Sequence, residues 1–221
     1  MNILITAGPT REMLDPVRFL SNVSTGHMGY AIARAAKNRK HRVTLVSGPT
    51  ALKHPPGIRF IPIVSARDMQ KACVRLFLKQ DALIMTAAVC DFTAPSTRLH
   101  KIKRTKTKKF TLKQTPDIVA GLARSKGKRI VIGFCLETEN WLINAKRKIL
   151  EKNLDGIVAN NYSKRHSPFG DRKITTGFLD NQGRMRVLQN QSKAVIAAKL
   201  LKWVEEIKKI SSKSNSESFL K

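Results

Sequence analysis

Hydrophobic positions along this chain form short runs rich in Val and Ile, separated by stretches in which polar and apolar residues repeat with a helical period. The short runs are continuously apolar, which is typical of strands that are buried on both faces of a sheet. Strands are therefore predicted at residues 2–7, 42–47, 58–64, 81–87, 129–135 and 155–159. Helices are predicted at residues 26–37, 66–79, 116–124, 141–152 and 192–209.

The alternation of strands and helices predicts an α/β fold with a mostly parallel, doubly wound sheet. In open sheets of this kind, ligands bind beyond the carboxyl ends of the strands, where loops and helix starts present unpaired amides. Functional residues are therefore expected in the segments that end or follow strands. These segments are TAGPTRE, AAVCDF and GFCLET.

Two stretches break the alternation, residues 88–115 and 160–190, and the second contains a predicted hairpin at 174–188. We interpret both as insertions that carry interface or substrate contacts. The polar, serine-rich end of the chain, residues 211–221, is predicted to be disordered. The chain is thus expected to form a single domain over residues 1–210.

The composition favours a soluble protein of the reducing cytoplasm. The chain has 221 residues, 42% of them hydrophobic, and no apolar run approaches the ~20 residues that cross a bilayer. Its first residues carry no basic segment typical of a signal peptide. The three cysteines, Cys73, Cys90 and Cys135, lie far apart and form no CxxC pair, which argues against disulfides and zinc. We therefore expect no association with a membrane.

The charge is strongly positive. The sequence has 42 Lys and Arg against 15 Asp and Glu, a net charge of +27, which attracts phosphates, nucleic acids and anionic membranes. The basic residues occur in nearly every segment, and no helix-turn-helix, RRM-like or zinc-finger pattern is present. Charge alone therefore does not indicate a nucleic-acid-binding protein.

The segment SNVSTGHMG, residues 21–29, places Gly26 and Gly29 before an alanine-rich helix. Glycines at a helix start let backbone amides approach a phosphate closely. The segment fits neither GxGxxG nor the P-loop pattern GxxxxGK[ST]. Close packing of the helix on the sheet explains the same glycines equally well.

Two groups of basic residues are candidates for binding a triphosphate. Lys101-Ile102-Lys103-Arg104 lies within residues 98–113, which are rich in Lys and Arg and contain no acid; in a strand, Lys101 and Lys103 would share one face. Lys148 and Lys152 are four residues apart on a predicted helix and so share a face. A solvated basic surface is the competing interpretation for both groups.

The segment Thr115-Pro116-Asp117 is typical of a helix start, with Thr115 as the N-cap and Pro116 in the first position. The exposed amides of that first turn could meet a ligand. No Ser-His-Asp set or HExxH motif is evident, and the five histidines have no metal-ligand spacing. These absences in the sequence argue against a hydrolase and a zinc enzyme.

An ordered series of segments extends along nearly the whole chain: ILITAGPTRE, DPVRFLSNVSTGHMGYAIA, VTLVSGP, AAVCDF, KIKR, PDIVAGLA, GFCLET, AKRKILEKNLDGIVAN and SKAVIA. In this order they resemble the bacterial phosphopantothenate-cysteine ligase family of coenzyme A biosynthesis. The resemblance implies a Rossmann-like domain that works as a homodimer, with the inserted segments forming a dimerisation region and sites completed across the interface. It also implies that 4'-phosphopantothenate and L-cysteine are joined with CTP and Mg²⁺.

The implied chemistry has two steps. The phosphopantothenate carboxylate attacks the α-phosphorus of CTP, which releases pyrophosphate and leaves an acyl cytidylate. The amine of cysteine then attacks the acyl carbon and expels CMP. Both steps build negative charge, so lysines, magnesium and amide donors are the expected machinery.

The resemblance also implies roles for individual residues. Asn22 matches an asparagine that holds the acyl nucleotide and supports its conversion, and Lys101 matches a lysine that stabilises the charge of nucleotide activation. Ser24, Gly26 and Gly29 match the substrate or phosphate loop, whereas no residue is matched to a metal ligand. The positions that match nucleotide contacts are Met85, Thr86, Ala87, Asp91, Lys101, Pro116, Asp117, Ile118, Val119, Phe134, Lys148 and Lys152.

The chain departs from the family pattern at Arg104, where the family commonly has lysine, at Cys90, where alanine is usual, and at His27, where lysine is frequent. Many relatives carry an N-terminal flavin-dependent decarboxylase domain. This chain begins at the ligase strand, so we expect no flavin site on it and a separate decarboxylase as a partner.

Two other classes remain as alternatives. A Rossmann-type NAD(P)-dependent oxidoreductase is favoured by the first strand and the glycines, but the GxGxxG motif is missing and the second predicted strand leads into Gly48-Pro49 instead of ending in an acid. A nucleic-acid-binding protein is favoured by the charge alone.

Overall fold

The structure is a computed structural model that describes residues 1–104, 109–162 and 168–217, with the side chains of the last helix described as far as residue 210. In chain order its elements are β1 (Asn2–Ala7), β2 (Arg11–Asp15), β3 (Arg18–Ser21), α1 (His27–Asn38), β4 (Arg42–Ser47), β5 (Arg59–Pro62), α2 (Ala66–Phe77), β6 (Ala82–Met85), β7 (Phe92–Thr93), β8 (Lys113–Gln114), α3 (Ile118–Ala123), β9 (Ile130–Glu137), α4 (Trp141–Glu151), β10 (Gly156–Asn161), β11 (Ile174–Asp180), β12 (Met185–Gln191) and α5 (Lys193–Glu217).

Eight strands form the central sheet in the order β12-β11-β10-β9-β6-β1-β4-β5. The pairs from β5 across to β10 are parallel, whereas β11 and β12 are antiparallel. The chain starts at β1, builds outward to β5, and then crosses back to add β6 on the other side of β1. The predicted α/β fold with a mostly parallel, doubly wound sheet is therefore confirmed, and the reversal of strand order lies between β1 and β6.

Two apolar layers bury the two faces of this sheet. On one face, α1 and α5 cover residues such as Ile5, Ile84 and Ile132. On the other face, α2, α3 and α4 cover alternate residues of the same strands, such as Leu4 and Leu83. Successive side chains of a strand point to opposite faces, so both layers require apolar residues and the strands become continuous apolar runs. This packing explains why β1 and β4 have the bounds that the sequence predicted.

Two short strand pairs outside the central sheet were not predicted from the sequence; one follows β1, and the other lies in the inserted segment 88–115. β2 pairs with β3, and the two-residue strand β7 pairs with β8. β2 contains the buried acids Glu12 and Asp15, so it lacks the apolar run by which strands were recognised. Buried Glu12 is satisfied by the backbone N–H of Ala66, whose distance to Oε1 is 2.7 Å.

The start of α3 differs from the prediction. The N-cap is Asp117, whose Oδ1 accepts a hydrogen bond from the backbone N–H of Ala120 at 3.0 Å. The hydroxyl of Thr115 instead donates to the backbone oxygen of Cys90 at 2.6 Å, and its N–H donates to Asp91. The prediction of Thr115 as the cap was wrong because its donors complete the contact between β8 and the segment after β6.

The last helix, α5, is longer than predicted. It was expected to end near Lys209, with disorder from Ser211, but it is helical as far as Glu217. The segment after Lys209 contains neither Gly nor Pro to end a helix. Residues 218–221 of the predicted tail lie outside the described residues. Among those that are described, no helix is long and apolar enough to cross a membrane.

Candidate functional site

A cavity of about 910 Å³ opens at the carboxyl ends of β6, β9 and β10 and at the start of α1, beside the reversal of strand order. This is the place where open α/β sheets bind ligands, because loops and helix starts meet there with unpaired backbone groups. Its walls come from residues 22–29, 85–89, 114–119 and 134–136, together with side chains of the later helices and of the 168–174 segment.

The structure brings the site residues predicted from the sequence together around this cavity, with Lys101 as the exception. Those that line it are Asn22, Ser24, Gly26, Gly29, Met85, Thr86, Ala87, Asp91, Pro116, Asp117, Ile118, Val119, Phe134, Lys148 and Lys152. They come from segments that are distant in sequence. Their common location supports their assignment to one site, whereas their individual roles stay predictions.

The two glycines of the loop before α1 serve different purposes. Gly26 is the N-cap of α1 with φ at 79°, a left-handed conformation that favours glycine, and no side chain caps the helix there. A Cβ on Gly29 would lie 2.5 Å from Ala7 Cβ and 2.6 Å from Thr86 Oγ1. Gly29 therefore allows close packing of α1 on the sheet, while Gly26 shapes the loop that presents the first amides of α1 to the cavity.

Asn22 lines the cavity, and its side-chain amide is fixed by two hydrogen bonds. Nδ2 donates to the backbone oxygens of Ala88 at 3.2 Å and Val89 at 2.9 Å. These contacts use both amide hydrogens of the side chain. Oδ1 is therefore the atom through which Asn22 can contact a ligand without breaking these bonds.

The wall formed by α4 carries two lysines, each paired with an acid. Lys148 Nζ lies 2.5 Å from Glu137 Oε1, and Lys152 Nζ lies 2.8 Å from Asp117 Oδ2. Burial raises the pKa of Asp117, but the hydrogen bonds from Lys152 and from the N–H of Ala120 outweigh burial and hold the pKa below its ordinary value. Each ammonium group has three N–H donors, so both can still contact a phosphate.

Lys101 is exposed and does not line the cavity. Its segment is a loop that is tied to the β2–β3 hairpin: the N–H of Ile102 donates to Asp15 Oδ2 at 3.1 Å, and Arg18 Nη1 donates to the oxygen of Ile102 at 3.0 Å. These bonds use the backbone groups that pairing in a strand would need. Residues 101–104 therefore do not form the strand in which Lys101 and Lys103 would share one face. Residues 105–108 lie outside the described part of the chain.

The carboxylate that anchors this loop is fully buried. Burial raises the pKa of Asp15, but the N–H groups of Ile102 and Val17 and the charge of Arg18 outweigh burial and hold the pKa below its ordinary value. Asp15 is thus a charged acceptor for the Lys101 loop at neutral pH. This role is not visible in the sequence, because Asp15 is far from residue 101 along the chain.

Lys193, the first residue of α5, also lines the cavity and was not predicted as a site residue. Its side chain is 5% exposed, and Nζ donates to the backbone oxygens of Pro168 at 3.0 Å, of Gly170, and of Arg172 at 3.4 Å. Burial lowers the pKa of Lys193, and the nearby Asp171 opposes this shift. In the sequence, Lys193 lies within the SKAVIA segment, which contributed to the family resemblance without a role for the lysine.

Through these bonds Lys193 holds a turn, residues 168–172, against the glycine-rich loop. The N–H of Gly170 donates to Thr25 Oγ1 at 3.2 Å. This contact joins the start of α5 to the start of α1 across the end of the cavity.

Two further residues of the cavity were missed. Asn160, near the end of β10, has a buried Oδ1 that finds no hydrogen-bond partner among the described residues. Cys135 is buried, and burial raises the pKa of its thiol to about 11, so it is protonated at neutral pH. Cys135 therefore has the character of a core residue and not of a nucleophile. All three cysteines are free.

The acids of the cavity wall restrict how it could bind a metal. No group of three or more His, Cys, Asp or Glu side chains that could hold a metal ion occurs within the described ranges. In the same ranges, Asp91 and Asp117 are the acids that line the cavity, and Asp117 is paired with Lys152. Magnesium commonly binds through one or two carboxylates plus substrate phosphates and water, and Asp91 fits this mode.

The end of β4 lacks the acid that binds the ribose in NAD sites. β4 ends at Ser47, whose hydroxyl donates to the oxygen of Gly48 at 2.9 Å. A Cβ on Gly48 would lie 1.7 Å from the oxygen of Pro9, so a side chain has no space there. The local structure thus offers no observation in favour of a dinucleotide oxidoreductase.

Comparison with known families gives a match over nearly the whole chain. Residues 1–207 match the family model described as DNA/pantothenate metabolism flavoprotein C-terminal domain. The chain is 42% identical over 211 residues to the coenzyme A biosynthesis bifunctional protein CoaBC of Bacillus subtilis, covering 94% of this chain and 52% of that protein. It is 46% identical over 168 residues to CoaBC of Escherichia coli strain K12, covering 74% and 41%. The chain thus spans about half the length of these relatives, or less.

Solved structures show the same fold. The crystal structure of the C-terminal domain of CoaBC superimposes with a TM-score of 0.80 at 38% identity, covering 93% of this chain and 94% of that one. A mutant of Cab2 in complex with phosphopantothenate-cysteine superimposes with a TM-score of 0.77 at 17% identity, covering 97% and 88%. At that identity the second likeness concerns the fold alone.

Proposed function

The chain belongs to the DNA/pantothenate metabolism flavoprotein C-terminal domain family, and from this premise we propose that it is a ligase of coenzyme A biosynthesis that joins 4'-phosphopantothenate to L-cysteine. One observation carries the proposal. Apart from Lys101, the residues matched to nucleotide contacts line a single cavity together with Asn22 and the glycine-rich loop, and they come from in or beside β6, α3, β9 and α4. A site for a nucleotide and an acid requires this convergence.

The proposed reaction activates the acid with CTP. A carboxylate oxygen of phosphopantothenate bonds to the α-phosphorus while the bond to the bridging oxygen breaks and pyrophosphate leaves. The cysteine amine then bonds to the acyl carbon of the acyl cytidylate, loses a proton, and expels CMP. Both steps place negative charge where positioned cations and N–H groups can stabilise it.

The cations and amides of the cavity suit the phosphates of the nucleotide. Lys148 and Lys152 lie on one wall of the cavity, and the ammonium group of each contacts a carboxylate. Each ammonium group can bind a phosphate oxygen in place of that carboxylate or in addition to it. The uncapped amides at the start of α1 favour an anion, as does the helix dipole. Asn22 Oδ1 can accept an N–H of the attacking amine, which fits a role in converting the acyl nucleotide.

Magnesium is part of the proposal as the companion of CTP. Asp91 would hold it, with the remaining ligands from phosphates and water. The ion would neutralise charge on the phosphates during displacement of pyrophosphate.

We propose that Lys101 reaches the nucleotide in a homodimer, where sites are completed across the interface. In the single chain, Lys101 lies outside the cavity. The β2–β3 hairpin that holds its loop and the inserted segment 88–115 carry exposed apolar side chains, which is typical of an interaction surface. These side chains are Val17, Phe19, Phe92, Leu99 and Phe110.

The proposal is tested by release of pyrophosphate from purified protein with Mg²⁺, 4'-phosphopantothenate and cysteine, with CTP compared against ATP and each component omitted in turn. We expect release that requires phosphopantothenate and is faster with CTP. No release with either nucleotide from folded protein would refute the ligase function.

Variants can separate the two steps. Lys101→Gln should slow formation of the acyl cytidylate, whereas Asn22→Asp should let it form and slow its reaction with cysteine, so that the intermediate accumulates. Lys103→Gln is the matched control, because Lys103 is an exposed lysine of the same loop. Wild-type turnover by Asn22→Asp would show that the role assigned to Asn22 is wrong.

A further inference from the structure

Asn160 lies near the end of β10, on the face of the sheet that α1 and α5 cover. Val158, two residues earlier, packs in the apolar layer beneath these helices, and alternate residues of a strand share a face. On the neighbouring strand β11, Asn160 is paired with Thr176, which is fully buried. Because Lys193 begins α5 and His27 begins α1, Asn160 belongs to the part of the cavity near the starts of both helices.

The side-chain oxygen of Asn160 is buried and lacks a donor among the residues that the structure describes. Two donors near this part of the cavity are already engaged. The hydroxyl of Thr176 donates to the backbone oxygen of Ala159 at 3.1 Å, and the ammonium group of Lys193 donates to the backbone of the 168–172 turn. A buried acceptor without a donor costs free energy, which a bound donor would recover.

We propose that Asn160 accepts a hydrogen bond from a hydroxyl group of a bound substrate; this inference rests on the ligase function proposed above. An amide oxygen is an acceptor without charge, so it repels phosphate and carboxylate oxygens and selects a donor. The positive charge of Lys193, which lines the same cavity, disfavours an ammonium group as that donor. A neutral hydroxyl satisfies both conditions.

Two of the proposed substrates supply such a hydroxyl. CTP carries hydroxyls on its ribose, and 4'-phosphopantothenate carries one on its pantoyl arm. Both groups are remote from the bonds that break and form. Asn160 is therefore a binding residue that selects and orients a substrate, and its loss should affect affinity for one ligand more than the chemical steps.

The test compares Asn160→Leu with Asn161→Leu. Leucine has nearly the shape of asparagine without its polar atoms, and Asn161 is the next residue of β10, exposed and outside the cavity lining. Calorimetric titration would measure the Kd of CTP with Mg²⁺ and of 4'-phosphopantothenate separately, and steady-state assays would measure the KM of each. We expect Asn160→Leu to weaken one of the two ligands about tenfold and to leave the other unchanged.

The Tm of Asn160→Leu distinguishes the proposed role from a purely structural one, because loss of a structural contact would lower Tm. Replacing an unpaired buried oxygen by an apolar group should leave Tm unchanged or raise it. Asn161→Leu should leave both Kd values unchanged. If CTP is the weakened ligand, 2'-deoxy- or 3'-deoxy-CTP should bind wild type as weakly as CTP binds Asn160→Leu.

The outcomes are distinct. Selective weakening of CTP assigns the ribose hydroxyl, and selective weakening of phosphopantothenate assigns the pantoyl hydroxyl. Unchanged binding of both ligands, or equal weakening of both together with a lower Tm, would overturn the role of Asn160. If the wild type binds these ligands but releases no pyrophosphate, the ligase function fails while the binding test of Asn160 still applies; binding of neither ligand would overturn both.

Discussion

Replacing Gly29 by alanine should separate α1 from the sheet and thereby distort the site. The new Cβ would lie 2.5 Å from Ala7 Cβ and 2.6 Å from Thr86 Oγ1. Carbon atoms in contact prefer about 3.5–4.0 Å, so α1 has to move by about 1 Å. Thr86 cannot rotate away without cost, because its hydroxyl donates to the backbone oxygen of Thr6 at 2.5 Å.

The magnitude follows from two opposing effects. Overpacking in a rigid core costs about 1–3 kcal/mol, and the fixed neighbours of Gly29 place the cost near the upper end, about 3 kcal/mol. Alanine gains about 1 kcal/mol over glycine within a helix. The net destabilisation should be about 2 kcal/mol, which corresponds to a decrease in Tm of about 4–8 °C for a chain of this size.

Gly121→Ala is the matched control. Gly121 lies in α3, and the nearest atom to its new Cβ would be Arg124 Nη2 at 3.9 Å. It should be stabilising by about 0.5–1 kcal/mol with unchanged activity. Thermal unfolding and pyrophosphate release would be measured for both variants, and Gly29→Ala should also weaken CTP at least tenfold because the start of α1 moves. An unchanged Tm and unchanged CTP affinity for Gly29→Ala would refute the packing role of Gly29.

Three further outcomes are expected. Asp15→Asn should slow acyl cytidylate formation about tenfold in single-turnover assays, because the loop that carries Lys101 loses its charged acceptor; an unchanged rate would contradict the anchoring role. Lys193→Met should destabilise the protein by about 2–3 kcal/mol in urea unfolding, because the carbonyls of the turn that Lys193 holds lose a charged donor. Glu205→Gln should cost about 0.5–1 kcal/mol at pH 7, because the hydrogen bond from Arg39 lowers the pKa of Glu205. That contribution is present above the ordinary carboxyl pKa and is lost as pH falls through the lower folded-state pKa, so the difference from wild type should shrink progressively as pH falls below the ordinary carboxyl pKa.

The main elements could be predicted from local sequence pattern. Strands such as β1 and β4 are buried on both faces, so each is a continuous apolar run whose ends are visible in the sequence. The β2–β3 hairpin was not visible, because its buried acids Glu12 and Asp15 are stabilised by backbone N–H groups from distant segments. A hydrophobicity pattern contains no information about such partners.

The sequence could predict which segments contribute to the candidate site, but not how their side chains are arranged in space. The resemblance of the ordered motifs to a known family indicated residues that, apart from Lys101, line one cavity, and several of these motifs lie at strand ends, where ligands bind in such sheets. The Asn22 amide donates to the backbone oxygens of Ala88 and Val89, and these hydrogen bonds depend on a contact between two loops. The sequence therefore indicated the residue and not the atom that remains for a ligand.

By itself, the sequence determined the α/β class, most of the strands and helices, and two strand-end segments that border the cavity, AAVCDF and GFCLET, since these follow from short-range periodicity. Only the tertiary structure decided the strand order, the exposed position of Lys101, and the placement of Lys193 and Asn160 in the cavity wall. These features depend on pairings between residues far apart in the chain, such as the bond from Gly170 to Thr25. Which buried polar atom finds a partner is settled by the packing of all elements together.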